Sequence, residues 1–174
     1  MQLGELTGGG MNEFPPADEV FFPEHHESHA ASAYFPSPFD HAAVLTIDGV
    51  GEWATTSAWM GDGKDLTPLW EIDFPHSLGL LYSAFTAYLG FRVNNGEYKV
   101  MGMAAYGEPE YYDFLRKNVV RTNGNGSFKI DISYLDHHLA KHRIYPNKIT
   151  EALGPSREPD EEVTERHYNV AASV

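Results

Sequence analysis

Three stretches of the chain predict neighbouring β-strands. Residues 42–51, AAVLTIDGVG, form an apolar run that leads into an Asp-Gly pair, as expected of a buried strand that leaves at a turn. WATTSAWM then resumes a β-rich composition, and after the turn GDGKD a third strand is predicted around residues 69–74. These three segments are expected to form an antiparallel meander.

Helical spacing follows the meander. Between Ser77 and Phe91 apolar residues recur every three or four positions, and Ser77 is a plausible N-cap. The recurring residues are Leu78, Leu81, Tyr82, Phe85, Tyr88 and Leu89. A second amphipathic helix is predicted from about Glu110 to Val120, and TNGNG separates it from a short strand over residues 127–132.

Two further helices are predicted near the ends of the chain. A small-residue stretch from Ser28 to Tyr34 can be helical, with Pro36 and Pro38 ending it and a group of histidines at its start. The last stretch, TERHYNVAASV, begins like a capped helix at Thr164 but stops after about ten residues, so the chain is expected to end inside an element.

The domain organisation predicted from these patterns is simple. Residues 1–18 mix glycine, proline and acids without periodicity, which indicates a loop or an expression remnant with no function of its own. Residues 19–174 are expected to form part of one α/β domain. Such a piece exposes sheet edges and apolar surface, so a homodimer is a possible partner state.

Charge and composition narrow the function classes. Twelve basic and twenty-five acidic residues give a net charge of −13, which disfavours contact with nucleic acid or anionic lipid. The chain has no cysteine, so any metal must be held by nitrogen and oxygen. No apolar run approaches the roughly 18 residues of a membrane span, and no signal peptide is visible, so a cytoplasmic location is predicted.

The sequence HHESHA carries the strongest chemical signal. His25 and His29 are four residues apart, so on a helix they lie on one face and could hold one metal ion. His26 and Glu27 would point elsewhere. The spacing of a zinc protease is absent, because HESH has one residue between the acid and the second histidine. A helix start with solvated imidazoles remains the alternative to a metal site.

Asp48 is a candidate third ligand. It is expected to project from a strand end, where ligand sites commonly gather, although Asp-Gly is also a common hairpin turn. Gly49 and Gly51 leave backbone amides that suit either a phosphate or a bend.

The segment NGEYK is a candidate nucleotide contact. Glu97 could accept bonds from ribose hydroxyls and Lys99 could meet negative oxygens. The alternative is a surface ion pair beside a helix. The histidines at 137, 138 and 142 lie in a polar region and are interpreted as surface residues.

Several blocks in one order carry a family resemblance. The run HHESHAASAYFPSPFDHAAVLTIDGVGEWATTS is followed by FPHSLGLLYSAFTAYLGF and NNGEYKVMGMAAYGEP. Over about residues 20–174 the chain resembles the carbamoyltransferases of nodulation, cephamycin and tobramycin biosynthesis. The resemblance implies an actin-like, sugar-kinase-like (ASKHA) ATPase fold fragment, with a mixed sheet and flanking helices.

The resemblance also implies a chemistry. In this family a C-terminal domain makes carbamoyl-adenylate from ATP and carbamoyl phosphate, and the N-terminal domain transfers the carbamoyl group to a substrate hydroxyl at a metal site. The HxxxH histidines match His25 and His29, and the strand-end aspartate matches Asp48, which is also the predicted catalytic residue. Iron is the implied metal, with manganese or zinc as alternatives.

Other contacts are carried over from the same blocks. Glu97 and Lys99 fall in the GEYK block near the nucleotide, and Gly49 and Gly51 are a second candidate for phosphate contact. The acceptor would be a small hydroxylated molecule such as a sugar, an aminoglycoside or an antibiotic intermediate.

The departures from the family pattern limit the activity expected of this chain. The first strand with its phosphate loop, a later aspartate ligand, the nucleotide glycine loop and the whole adenylate-forming domain are not visible. The chain is therefore expected to be catalytically inactive in isolation. An alternative is an inactive truncated module with an oligomerising or regulatory role, and a sugar kinase of the same fold is a weaker one.

Overall fold

The computed structural model describes residues 22–135 and 147–174. The predicted loop over residues 1–18 therefore lies outside the described residues. The three histidines at 137, 138 and 142, interpreted as surface residues, lie outside them as well.

Helix α1, His25–Tyr34, precedes a three-stranded sheet. The strands are β1, His41–Gly51, β2, Ala54–Asp62, and β3, Asp65–Asp73. They pair antiparallel in the order β1-β2-β3, so the predicted meander is confirmed. The described strands pair only in antiparallel fashion, and the mixed sheet implied by the resemblance stays a prediction.

The second half of the described chain is mainly helical. Its elements are α2, Leu78–Tyr88; α3, Glu97–Ala104; α4, Tyr112–Asn118; β4, Val120–Thr122; β5, Phe128–Ile130; a 3-10 helix, Ile132–Tyr134; α5, Asn147–Leu153; and α6, Glu165–Ser173. The predicted α2, α4, β5 and α6 are confirmed, whereas α3, β4 and α5 had not been predicted. None of the helices in the described residues is long and apolar enough to cross a bilayer.

Helix α2 forms where the sequence predicts because its cap and its apolar face agree. The Ser77 hydroxyl accepts a hydrogen bond from the backbone N–H of Leu80 at 3.0 Å, which satisfies one free donor of the first turn. Phe85 and Tyr88 on its inner face are almost fully buried in the main core. The helix therefore anchors the sheet to the later elements.

Helix α1 packs on β1 and β2 through residues spaced by four. His26, Ala30 and Tyr34 are its buried residues. The Tyr34 ring lies against Gly61, where a Cβ would collide with the ring, and its hydroxyl donates to the backbone oxygen of Asp40 at 2.6 Å. These contacts fix the position of the first turn of α1 relative to the sheet.

The structure corrects the predicted turn at Asp48 and Gly49. Strand β1 continues to Gly51, and the hairpin turn lies at residues 52–53, where Glu52 has a positive φ of 59°. The pairing of β1 with β2 is instead interrupted between Ile47 and Gly51. Asp48 therefore lies within a strand, at an irregularity that releases its backbone from the regular ladder.

Candidate metal centre

The structure brings together His25, His29 and Asp48. The Nε2 atom of His25 lies 2.6 Å from Oδ2 of Asp48 and 3.0 Å from Nε2 of His29. His29 Nε2 is 3.6 Å from the same carboxylate oxygen. The three candidate ligand atoms all lie within 4.8 Å of one another. Within the described residues, they form a group that could hold a metal ion.

Local structure explains the convergence. The two histidines occupy the first two turns of α1, one turn apart, so their rings project from one face. Opposite them, Gly51 lets the backbone of β1 approach the rings: a Cβ there would lie 2.9 Å from Cδ2 of His26 and closer still to the ring of His25. Behind Asp48, Gly79 leaves room for its backbone, since a Cβ there would lie 2.5 Å from the Asp48 carbonyl oxygen.

Hydrogen bonds keep Asp48 ionised. Partial burial opposes its charge, but a bond from His25 and the backbone N–H of Gly49, 2.7 Å from Oδ1, hold the pKa of this carboxyl below its usual value. The side chain is 34% exposed, while those of His25 and His29 are 43% and 55% exposed. A negative charge thus lies beside two accessible imidazoles at neutral pH.

The donor set fits a divalent cation. A neutral imidazole carries one N–H. A single proton on Nε2 of His25 cannot form full hydrogen bonds with both the Asp48 carboxylate and Nε2 of His29. Ligands that surround one ion at about 2.0–2.2 Å lie about 3 Å apart, which the observed spacings of 2.6, 3.0 and 3.6 Å bracket. Two nitrogens and one carboxylate oxygen are the ligands of the facial triad typical of Fe(II).

His26 belongs to the surroundings of this group. It is not one of the three candidate ligands, although its ring centre lies 5.8 Å from that of His25 and 6.4 Å from that of His29. It is buried rather than solvated. Its Nδ1 lies 3.0 Å from the Thr46 hydroxyl and 3.1 Å from that of Ser57, and burial lowers the pKa of the ring. A neutral His26 adds no charge to the centre and fixes the start of α1 on the sheet. The four-residue spacing of His26, Ala30 and Tyr34 is the sequence signal for this buried face.

The two glycines predicted as phosphate contacts have structural roles here. The N–H of Gly49 donates to Asp48, and Gly51 faces the histidine rings. Both lie on β1 beside the candidate metal centre. Their contact with a phosphate stays a prediction.

The predicted nucleotide contacts Glu97 and Lys99 open helix α3. The Glu97 carboxylate accepts the backbone N–H groups of Asn94 at 2.8 Å and Gly96 at 3.1 Å. Partial burial raises the pKa of Glu97, but these bonds outweigh it and bring the pKa below its usual value. The Lys99 ammonium lies 5.5 Å from the centre of the Phe91 ring. Neither residue belongs to the group formed by His25, His29 and Asp48, and their nucleotide role stays a prediction.

Two open cavities flank His25. One, of about 450 Å³, is lined by residues of α1 including His29 and Ser32. The other, of about 470 Å³, runs from His25 and His26 across the ends of β2 and β3. The centre is thus accessible from two sides.

Comparison with known proteins shows which family the chain is similar to. The family model described as the carbamoyltransferase N-terminus matches residues 12–174. The chain is 51% identical over 173 residues to an uncharacterised Synechocystis protein, covering 99% of this chain and 28% of that protein. It is 36% identical over 155 residues to the nodulation protein NolNO of Sinorhizobium fredii, covering 89% and 21%.

An archaeal protein also matches. The chain is 38% identical over 153 residues to an uncharacterised Methanocaldococcus jannaschii protein, covering 78% of this chain and 25% of that protein. The chain therefore spans about a quarter of the length of these curated relatives.

Proposed function

Because the chain belongs to the carbamoyltransferase family, in which it matches the N-terminal domain, we propose that it provides the transfer site of an O-carbamoyltransferase. The observation that carries this proposal is the convergence of His25, His29 and Asp48 on one point. The group transferred would be the carbamoyl of carbamoyl-adenylate, made from carbamoyl phosphate and ATP elsewhere in the full-length enzyme. The acceptor would be the hydroxyl of a small molecule.

We propose that these three side chains hold a divalent cation. Iron(II) suits the two nitrogens and one carboxylate, with manganese or zinc as alternatives. When bound, such an ion supplies a Lewis acid that polarises a carbonyl and lowers the pKa of an acceptor hydroxyl.

The protein residues prepare this site in three ways. Asp48 is held ionised by His25 and the Gly49 amide, so it offers a negative ligand at neutral pH. The exposed rings of His25 and His29 leave the centre open to a substrate. The neutral, buried His26 beneath them keeps the first turn of α1 in place.

The remaining assignments belong to the same proposal. Glu97, Lys99 and the glycines at 49 and 51 would contact the nucleotide, and the fold would be completed as an actin-like, sugar-kinase-like domain. Since the chain spans about a quarter of its relatives, the 174 residues are proposed to bind metal but not to transfer carbamoyl groups unaided.

The experiment that tests the site is metal analysis of anaerobically purified protein. The parent chain should carry a divalent metal, while the double variant His25→Ala, His29→Ala and the single variant Asp48→Asn should lose it. His41→Ala is the matched control, because His41 is an exposed histidine at the other end of β1, beside Asp62. Equal metal content in all four proteins, with folding verified by circular dichroism, would show that these side chains do not hold the metal.

A further inference from the structure

The chain contains three Asn-Gly pairs, at residues 95–96, 123–124 and 125–126. The first precedes α3, and the other two lie in the turn that joins β4 to β5. Asparagine is a thermolabile residue, and a glycine after it hinders reaction least, because it has no side chain and its backbone turns easily. Each pair is therefore a candidate for chemical modification, and the surrounding structure decides which of them reacts.

Deamidation of an Asn-Gly pair consumes only water. The glycine nitrogen gives up its proton and bonds to Cγ of the asparagine side chain. The bond between Cγ and Nδ2 then breaks, and the side-chain nitrogen takes up a proton and leaves as ammonia, so that a succinimide ring remains. Water opens this ring at either carbonyl and leaves aspartate or isoaspartate. A glycine N–H that donates a hydrogen bond resists the first step, because that bond is lost with the proton.

The pair Asn95-Gly96 is protected at its glycine nitrogen. The backbone N–H of Gly96 donates to the Glu97 carboxylate at 3.1 Å, and Gly96 is buried. Loss of this proton would place a second negative charge beside the carboxylate. The backbone is also closely packed, since a Cβ at Gly96 would lie 2.7 Å from Cβ of Phe91. This pair is therefore held in an unreactive arrangement.

The pair Asn125-Gly126 is restrained at both reacting groups. The backbone N–H of Gly126 donates to the backbone oxygen of Asn123 at 3.2 Å. The Oδ1 atom of Asn125 accepts hydrogen bonds from the backbone N–H of Ser127 at 3.1 Å and from its hydroxyl at 2.8 Å. These bonds hold the nitrogen and the side chain in place, so reaction at this pair is slowed.

The pair Asn123-Gly124 lacks this protection. Both residues are exposed, and within the described residues the Gly124 N–H has no hydrogen-bond partner. The space around Gly124 is open, since a Cβ there would meet nothing within 4 Å. The Asn123 side chain is held by an exposed bond from Nδ2 to the Ser127 hydroxyl at 2.9 Å. Of the three pairs, this one is the least restrained.

We propose that Asn123 is a site of spontaneous deamidation in the folded protein, and that it reacts before Asn95 and Asn125. The product adds a negative charge to a chain whose net charge is already −13. Isoaspartate also adds a methylene to the main chain, beside the bond from the Asn123 N–H to the Ser127 oxygen at 2.7 Å that closes the turn. The β4–β5 hairpin contains none of the three candidate metal ligands, so this inference is independent of the proposed function.

Peptide mapping by mass spectrometry tests the proposal, because it follows all three asparagines in one sample. Folded protein is incubated at mildly alkaline pH, and fragment spectra assign each gain of one mass unit to a residue. Asn123 should convert at least roughly tenfold faster than Asn95 or Asn125. Equal or faster conversion at either of those positions would overturn the proposal.

The same incubation in guanidinium chloride shows whether the fold selects the site. The three pairs should then convert at similar rates, because glycine follows asparagine in each and the protecting hydrogen bonds are lost. A preference for Asn123 that is as large in the unfolded chain as in the folded protein would contradict selection by the structure.

Variants of the turn locate the reaction. Asn123→Gln should abolish the mass gain at this position, because glutamine must form a larger ring. Gly124→Ala should slow conversion of Asn123 severalfold, since the added methyl group hinders the attacking nitrogen and meets no neighbour in the folded protein. Asn125→Gln is the matched control and should leave the rate at Asn123 unchanged. Conversion of Asn123 at the parent rate in Gly124→Ala, with folding verified by circular dichroism, would contradict attack by the Gly124 nitrogen.

Discussion

Gly51 lies against the imidazole ring of His25 so closely that no side chain fits between strand and ring. This close approach, rather than backbone flexibility, is the reason that glycine is needed at the end of β1. The position of the first ligand ring therefore depends on the absence of a Cβ on the facing strand.

Replacing Gly51 with alanine should displace the His25 ring and weaken metal binding by roughly tenfold, as changes around metal ligands commonly do. Titration of the metal-free protein with a divalent ion would measure the change. Gly124→Ala is the control, because a Cβ at that position meets nothing within 4 Å. Parent-like affinity of Gly51→Ala would show that the ring can move without loss.

Ser77 couples helix α2 to the strand that carries Asp48. Its hydroxyl accepts the Leu80 N–H and lies 2.6 Å from the carbonyl oxygen of Gly49, to which it donates. Ser77→Ala should lower the free energy of unfolding by about 1–2 kcal/mol, as expected of a lost N-cap. Urea denaturation would measure it. Ser32→Ala, at an exposed position of α1, should change stability by less than about 0.5 kcal/mol, and equal effects of both changes would contradict the role of Ser77.

Two glycines of the second half should respond oppositely to alanine. Gly102 lies in α3 with open space around it, so Gly102→Ala should stabilise the protein by about 0.5–1 kcal/mol. Gly107 lies against α6. A Cβ at this position would be 2.8 Å from the backbone nitrogen of Asn169 and closer still to the backbone carbonyl of Tyr168. Gly107→Ala should therefore lower the melting temperature. Thermal unfolding of the two variants in parallel measures both changes. A lower melting temperature for Gly102→Ala, or a higher one for Gly107→Ala, would contradict these predictions.

His167 makes stability depend on pH. Burial and the neighbouring Arg166 lower its pKa from the ordinary 6.5, so the folded protein prefers the neutral ring and the unfolded chain takes up a proton first. The stability from this group is complete above pH 6.5 and declines as the pH falls below that value. Urea denaturation between neutral and mildly acidic pH should show this decline, and His167→Gln should reduce its slope. An unchanged slope in His167→Gln would contradict this assignment.

Local signals in the sequence were sufficient for much of the fold. The Ser77 cap and the regular apolar face gave α2, and short turns between β-rich segments gave the meander. Helix α3 was missed because it is short, starts after Gly96 and contains Gly102, so neither cap nor propensity marked it. Strand β4 has three residues and, among the residues that the structure describes, pairs only with β5, so it is too short for a periodic pattern to reveal it.

The candidate site, like the fold, was predictable from the sequence only in part. The spacing of His25 and His29 predicted their shared face, since it depends on helix geometry alone. The position of Asp48 inside a continuing strand could not be derived, because Asp-Gly is equally typical of a turn and the interruption depends on pairing with β2. The cavity of about 470 Å³ beside His25 is lined by a hairpin turn, two strands and α1, so only the tertiary structure brings its residues together.

Strand β1 has consequences for handling the protein. In the described chain it pairs on one edge only, and its 11 residues contain no lysine or proline, while Leu45 and Ile47 are more than half exposed. A long apolar edge of this kind is a template for growth of the sheet by another molecule. Concentrated samples should therefore self-associate through β1, and a lysine at position 45 should keep them monodisperse in light scattering.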